Sequence, residues 1–205
     1  MFVVIEGIEG SGKSTLLSGL GEWLRGRGQE PLLTFEPGGT PAARAIREIF
    51  LNRSIAIGPL TEAFLVNAAR AQHVADEIRP ALEARRTVVC DRFTDSTLAY
   101  QGYGRGVDLG VLRTLCETAT GGLAPDLVFV VDVPVAVALS RVRTRAEAPD
   151  RIEAEGTDFH ERVRRGFLEL ARTPRHRVLD GTLAPEPLLE EAIRELHERT
   201  SARVR

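Results

Sequence analysis

Short apolar, β-branched runs alternate with helix-period patterns along the whole chain, and this alternation confines it to one kind of architecture. Phe2–Ile5, Leu32–Phe35, Thr87–Cys90, Leu127–Val133 and Val178–Leu179 read as strands. Leu17, Leu20 and Leu24 recur at helical spacing after the first, and Ile46, Ile49 and Phe50 after the second. Val111, Leu112, Leu115 and Ala119 form a third stripe, and Phe159, Val163, Phe167 and Leu170 a fourth. Thr40, followed by Pro41, and Asp108 are expected N-caps, with Gly121-Gly122 stopping the helix that Asp108 opens. A long helical stretch opens at Thr61, and Pro80 is expected to kink or break it. Leu189, Ile193 and Leu196 end the chain on a helix. Five strands, each followed by a helix, predict an α/β fold: a five-stranded parallel sheet flanked by helices on both faces. The nearly all-apolar run Leu127–Val133 is expected near its centre. The 205 residues suit one domain, 1–205, with the arginine-rich stretch 141–157 expected as a mobile segment within it.

Composition excludes several classes of function. Twenty-seven basic against 29 acidic residues give a net charge of −2, so nothing demands a nucleic-acid polymer as partner. No apolar run approaches the ~18 residues of a membrane span. The start, Met1–Glu6, has no basic n-region and is not read as a signal peptide. Cys90 and Cys116 sit among apolar neighbours and are expected to be buried, reduced thiols in a cytoplasmic protein. His73, His160, His176 and His197 are scattered without metal-ligand spacing, and no G-x-S-x-G elbow is present.

The strongest chemical signal follows the first strand. Gly7-Ile8-Glu9-Gly10-Ser11-Gly12-Lys13-Ser14, then Thr15, matches the phosphate-binding loop G-x-x-x-x-G-K-[ST] in the required strand-to-helix context. Its glycines let backbone N–H groups face a phosphate, and the following helix adds positive potential. Lys13 is expected at the β- and γ-phosphates of ATP, and the Ser14 hydroxyl on Mg²⁺. Of the 27 basic residues Lys13 is the one lysine and the other 26 are arginines, so an Asn-Lys-x-Asp guanine motif cannot exist. A small phosphotransferase or a small nucleotide-binding ATPase remains. Asp91, ending the third strand, is a candidate second carboxylate for Mg²⁺, and Arg92 beside it a bidentate phosphate ligand. Arg141, Arg143 and Arg145, at i, i+2 and i+4, are candidates for neutralising a migrating phosphoryl group.

Taken together, GIEGSGKS, EPGGT (Glu36–Thr40), AARAQHV (Ala68–Val74), DRFTDSTLAYQGYGRG (Asp91–Gly106), PDLVFVVDV (Pro125–Val133) and RVRTR…DRIE (Arg141–Glu153) resemble the thymidylate kinase family. That resemblance implies a nucleoside monophosphate kinase fold with a short lid at 141–157. It also implies ATP-dependent conversion of dTMP to dTDP, Mg²⁺ dependence and a homodimer. It makes Lys13, Arg92 and Arg145 catalytic, with Arg143 as the fallback lid arginine on ATP. It assigns Arg70 to a thymine carbonyl, Thr97 to the N3 edge, Tyr100 to the deoxyribose and Gln101 to a place alongside. Glu9 approaches the sugar hydroxyl, and Phe35, Glu36, Pro37 and Ser96 complete the acceptor site. Two positions depart from the family pattern. Phe35 stands where bacterial members carry Arg, and Val66 replaces the aromatic that stacks on thymine, a face worth ~1–3 kcal/mol in base stacking elsewhere. A kinase of another deoxynucleotide and a non-enzymatic nucleotide switch are the alternative functions.

Overall fold

The computed structural model describes residues 1–144 and 149–203, without the side chains of 200–203. Five strands, β1 (Phe2–Glu6), β2 (Leu32–Phe35), β3 (Val88–Asp91), β4 (Leu127–Asp132) and β5 (His176–Asp180), form one sheet in the order β2-β3-β1-β4-β5. Every pairing is parallel, with Val4 opposite Cys90 on one side and Val128 on the other. The α/β expectation therefore holds, and β4 lies inside the sheet as its apolar run predicts.

Strand alternation explains the two-sided core. Phe2, Val4, Val88, Cys90, Val128 and Val130 point to one face and meet Phe93, Tyr100, Phe159 and Phe167. Val3, Ile5, Val89, Leu127, Phe129 and Val131 point to the other, against Leu16, Leu20 and Leu24 of α1 (Lys13–Arg25) and Leu188, Ala192 and Leu196 of α9 (Pro185–Arg203). The connection from β1 to β2 passes over β3, so the chain changes direction across the sheet beside β1. Ligands of open parallel sheets bind outside the strands' C-terminal ends at such a point.

The remaining helices are α2 (Pro41–Leu51), α3 (Pro59–His73), α4 (Arg79–Glu83), α5 (Thr94–Thr97), α6 (Leu109–Thr120), α7 (Val135–Arg143) and α8 (Thr157–Leu170). Thr40 caps α2 by accepting from the Ala43 N–H, and Asp108 caps α6 by accepting from Val111. Pro80 does not break the helix. One wide π turn, Val74–Ile78, precedes it, and Pro80 enters α4 in the first turn, where no intrahelical donor is required. The arginine-rich stretch is anchored in its described part. Ile152 is buried in the core, and Arg151 bonds the Phe50 carbonyl and the buried Glu62.

Thr40→Ala removes the α2 cap, with Pro41 unaffected. It is expected to cost about 1 kcal/mol and to lower Tm by ~2–4 °C, measured by thermal melting. An unchanged Tm would mean that the cap contributes nothing to the stability of α2.

Candidate active site

The phosphate-binding loop leaves β1 and turns into α1 through backbone that needs glycine. Gly10 (φ 75°) lies so close to α7 that a Cβ would sit 2.3 Å from the Ala138 carbonyl oxygen, and Gly12 has φ 106°. Inside the loop the Lys13 Nζ donates to the Ile8 carbonyl at 2.9 Å. Lys13 is buried, and burial together with the Arg92 charge pulls its ammonium down to about 8.

β3 brings the second group of residues. Register puts Asp91 opposite Ile5, one residue short of the loop. The Ser14 hydroxyl donates to Asp91 Oδ2 at 3.4 Å, while Asp91 Oδ1 is buried with no hydrogen-bond partner. An orphaned carboxylate oxygen beside a hydroxyl is a hard donor set that fits Mg²⁺, which takes one or two protein oxygens and completes its shell with water and phosphate. No cluster of three or more His, Cys, Asp or Glu side chains among the described residues could cage a metal by itself.

Arg92 has φ 71°, a left-handed conformation that reverses the chain from β3 into α5. Its guanidinium donates to the Gly7 carbonyl (3.0 Å), Ser96 Oγ (3.1 Å) and Glu9 Oε1 (2.9 Å), and lies 5.0 Å from the Tyr100 ring centre. The Tyr100 hydroxyl contacts both Glu9 oxygens at 2.7 Å. Burial works to raise the Glu9 carboxyl, but Arg92 and Lys13 outweigh it and hold Glu9 below the usual range. Glu6, at the end of β1, accepts from the Phe93 and Ser96 N–H groups and from Ser96 Oγ. Burial, reinforced by Asp95, pushes its carboxyl up to about 8.

A cleft of about 560 Å³ is lined by Glu9, Lys13, Ser14, Asp91 and Arg92 and also by Arg70, Val66, Thr97, Tyr100, Gln101 and Pro37. Arg70 donates through Nε to Glu36 (2.7 Å), through Nη1 to Asn67 (2.8 Å) and Thr97 (3.0 Å), and through Nη2 to the Phe93 carbonyl (2.9 Å). Gln101 donates to Glu62, whose carboxylate also holds Arg105 and Arg151. Both thiols, Cys90 and Cys116, are free and buried, and burial raises each above its ordinary range.

Most sequence-named positions meet around this one cleft. Glu9 through Thr15, Glu36, Pro37, Val66, Arg70, Asp91, Arg92, Ser96, Thr97, Tyr100 and Gln101 all border it. Gly7, Ile8 and Phe35 do not line it; Phe35 is half-exposed, its ring 5.7 Å from the Arg47 guanidinium. Arg143 is exposed at the end of α7, and Arg145 lies outside the described residues. Of the two described arginines of that array, Arg141 reaches the loop, donating to the Gly10 and Gly181 carbonyls.

Sequence reasoning did not single out Glu6, Arg47, or the wall formed by Leu183, Pro185 and Leu188 beside the loop. The signal for that wall was available. The segment follows the last strand, and parallel strands deliver their C-terminal loops to one edge.

One continuous cleft lined by a phosphate cradle, by Arg92 and by the side chains around Arg70 suits two nucleotides at once. On a parallel five-stranded sheet this defines a P-loop nucleoside monophosphate kinase. The family model described as thymidylate kinase matches residues 5–192. A thymidylate kinase of Desulfovibrio desulfuricans is 49% identical over 198 residues, covering 92% of this chain and 91% of the relative. One of Thermomicrobium roseum is 52% identical over 187 residues, covering 90% and 89%. The crystal structure of thymidylate kinase from Ehrlichia chaffeensis superposes with a TM-score of 0.77 at 31% identity, covering 96% of this chain and 98% of that one. The chain belongs to the thymidylate kinase family.

The buried ammonium has a measurable consequence. Lys13 titrates near 8 when folded and near 10.5 when unfolded. Below about pH 8 both states hold the proton, and the cost of burying it is fully present. As pH rises from 8 to 10.5 the folded state alone releases the proton, so stability is regained. Nucleotide-free Lys13→Met is therefore expected to melt above the wild type near pH 7, with the gap closing toward pH 10.5. Thermal melts across that range check it, and a gap independent of pH would remove the buried-charge account.

Proposed function

We propose that this chain transfers the γ-phosphoryl group of ATP to the 5′-phosphate of dTMP, giving ADP and dTDP. The observation that carries the reading is the continuous cleft that Lys13, Arg92 and Arg70 all line. The loop amides and Lys13 hold the donor phosphates, and Arg92 draws the acceptor phosphate into line. An acceptor phosphate oxygen, already anionic, forms the new P–O bond as the bond from Pγ to the β–γ bridging oxygen breaks. The departing charge stays on ADP, and no strong base is needed. Ser14 and Asp91 would hold Mg²⁺, which supplies charge neutralisation to the β- and γ-oxygens when bound. Arg92, with Arg145 or Arg143 from a lid at 141–157, offsets the charge that develops in the transition state.

In the acceptor pocket Arg70 and Thr97 face the base, Tyr100 lies under the deoxyribose, and Glu9 approaches the sugar hydroxyl. Glu36, Pro37, Ser96 and Gln101 support these contacts, while Phe35 would act from outside the lining, beside Arg47. ATP and dTMP are the partners, with no nucleic-acid polymer and no membrane. No described helix is long and apolar enough to cross a bilayer. Buried reduced thiols favour the cytoplasm as compartment. A homodimer is supported by Ile49, Leu60, Phe64 and Val111, each about half exposed on α3 and the two helices that pack against it, α2 and α6.

Coupled detection of ADP release with ATP, Mg²⁺ and a panel of monophosphates tests the reading. Turnover stimulated most by dTMP is expected. Stronger stimulation by dUMP or another nucleotide would make the chain a kinase of that acceptor, and nucleotide binding without acceptor-dependent turnover would make it a switch. Val66, on the pocket wall, gives a sharper test. Phe64 points outward and is 54% exposed, so it does not fill the space that a larger side chain at 66 would take. Val66→Phe is expected to lower KM for dTMP several-fold with little change in kcat, because stacking helps ground and transition states alike. A raised KM at unchanged Tm would count against a thymine face at this wall.

A further inference from the structure

His73 is fully buried at the end of α3 and does not line the cleft, yet it is bonded to a residue that does. Its Nδ1 lies 3.0 Å from Glu36 Oε1 and its Nε2 lies 2.7 Å from Thr34 Oγ1. An ionised carboxylate only accepts, so Nδ1 carries a proton and donates it to Glu36. The other Glu36 oxygen accepts from Arg70 Nε at 2.7 Å. Arg70 spends three more N–H donors on Asn67, Thr97 and the Phe93 carbonyl. One Nη2 proton remains without a hydrogen-bond partner among the described residues, on a side chain that borders the pocket. The turn after Glu36 closes over the imidazole: a Cβ on Gly39 would sit 2.2 Å from His73 Nε2. Strand β2, the following turn and helix α3 thus converge on one ring, and that ring fixes one of the two Glu36 oxygens.

We propose that His73 is a positioning residue for acceptor recognition. It clamps Glu36, and Glu36 in turn fixes the rotation of Arg70 so that its one free N–H faces a carbonyl on the acceptor base. The proposal rests on the acceptor-pocket reading above. Without the Nδ1 donor the Glu36 carboxylate is held at one oxygen only and swings about it, taking the Arg70 fork out of register. The Glu36 carboxylate is held by His73 and Arg70, and the link from Glu36 to Asp91 is a backbone hydrogen bond that does not depend on that side chain, so the effect falls on the acceptor.

Three substitutions separate positioning from packing. His73→Leu is expected to raise KM for dTMP about tenfold, the loss of one hydrogen bond to a charged group, with kcat and the KM for ATP near wild type. His73→Asn places an amide N–H where Nδ1 stands and is expected to restore most of the dTMP affinity. His73→Gln is closer to imidazole in size, but its amide reaches the Nε2 position and leaves Glu36 unclamped, so KM for dTMP stays raised. A packing role gives the opposite order, with Gln restoring function better than Asn. That order, or equal behaviour of the two variants, overturns the proposal, and the comparison stands even where the Leu variant does not fold. Arg70→Gln, measured beside them, keeps the two readings apart. A wild-type KM for dTMP in that variant overturns the acceptor-pocket assignment, whereas a raised KM with Gln matching or exceeding Asn at position 73 overturns the His73 proposal alone.

Discussion

Two cations packed side by side beneath a phosphate site repel each other, and this fold resolves the conflict before any substrate arrives. Arg92 lowers the proton affinity of Lys13, and Glu9 sits where it attracts both. The Glu9 carboxylate is itself fixed by the Tyr100 hydroxyl, so the neutralising charge cannot swing away into solvent. The remaining geometry serves this arrangement. A left-handed Arg92 turns the guanidinium back toward the loop, and Glu6 catches the two amides that follow, at Phe93 and Ser96. A site organised in this way has little reorganisation left to perform when anionic phosphates replace the internal carboxylate as partners.

The fold was largely legible in the sequence because the physics that builds it is periodic. β1 and β4 alternate between two buried faces, and Thr40 and Asp108 mark helix starts by supplying an oxygen to an orphan N–H. The reading failed where periodicity is masked. Val178-Leu179 gave only the middle of β5, because His176, Arg177 and Asp180 make that edge strand look polar. Pro80 misled for a different reason: a wide turn, set by tertiary packing and invisible in a propensity, takes up the ring.

At the site, the loop and the Asp91-Arg92 pair could be read from local sequence alone. The partners of Arg70 could not, since Glu36, Asn67, Phe93 and Thr97 come from separate segments that only folding brings together. Choosing among Arg141, Arg143 and Arg145 likewise needs the direction of α7. Its Ala138 carbonyl lies against Gly10, and a residue three positions further along the helix, Arg141, therefore faces the loop.

The open sheet has two edge strands, and their character bears on how safely the protein can be made at high concentration. An unpaired strand edge is a template for another chain. β2 is only four residues long, is preceded by Pro31, and ends at Phe35 under the Arg47 guanidinium. β5 carries Arg177, whose guanidinium is tied to Glu195 of α9, and it ends in Asp180. Brevity at one edge and charge at the other leave no long apolar border open to a neighbour, so a sheet this hydrophobic inside can remain discrete in a crowded solution.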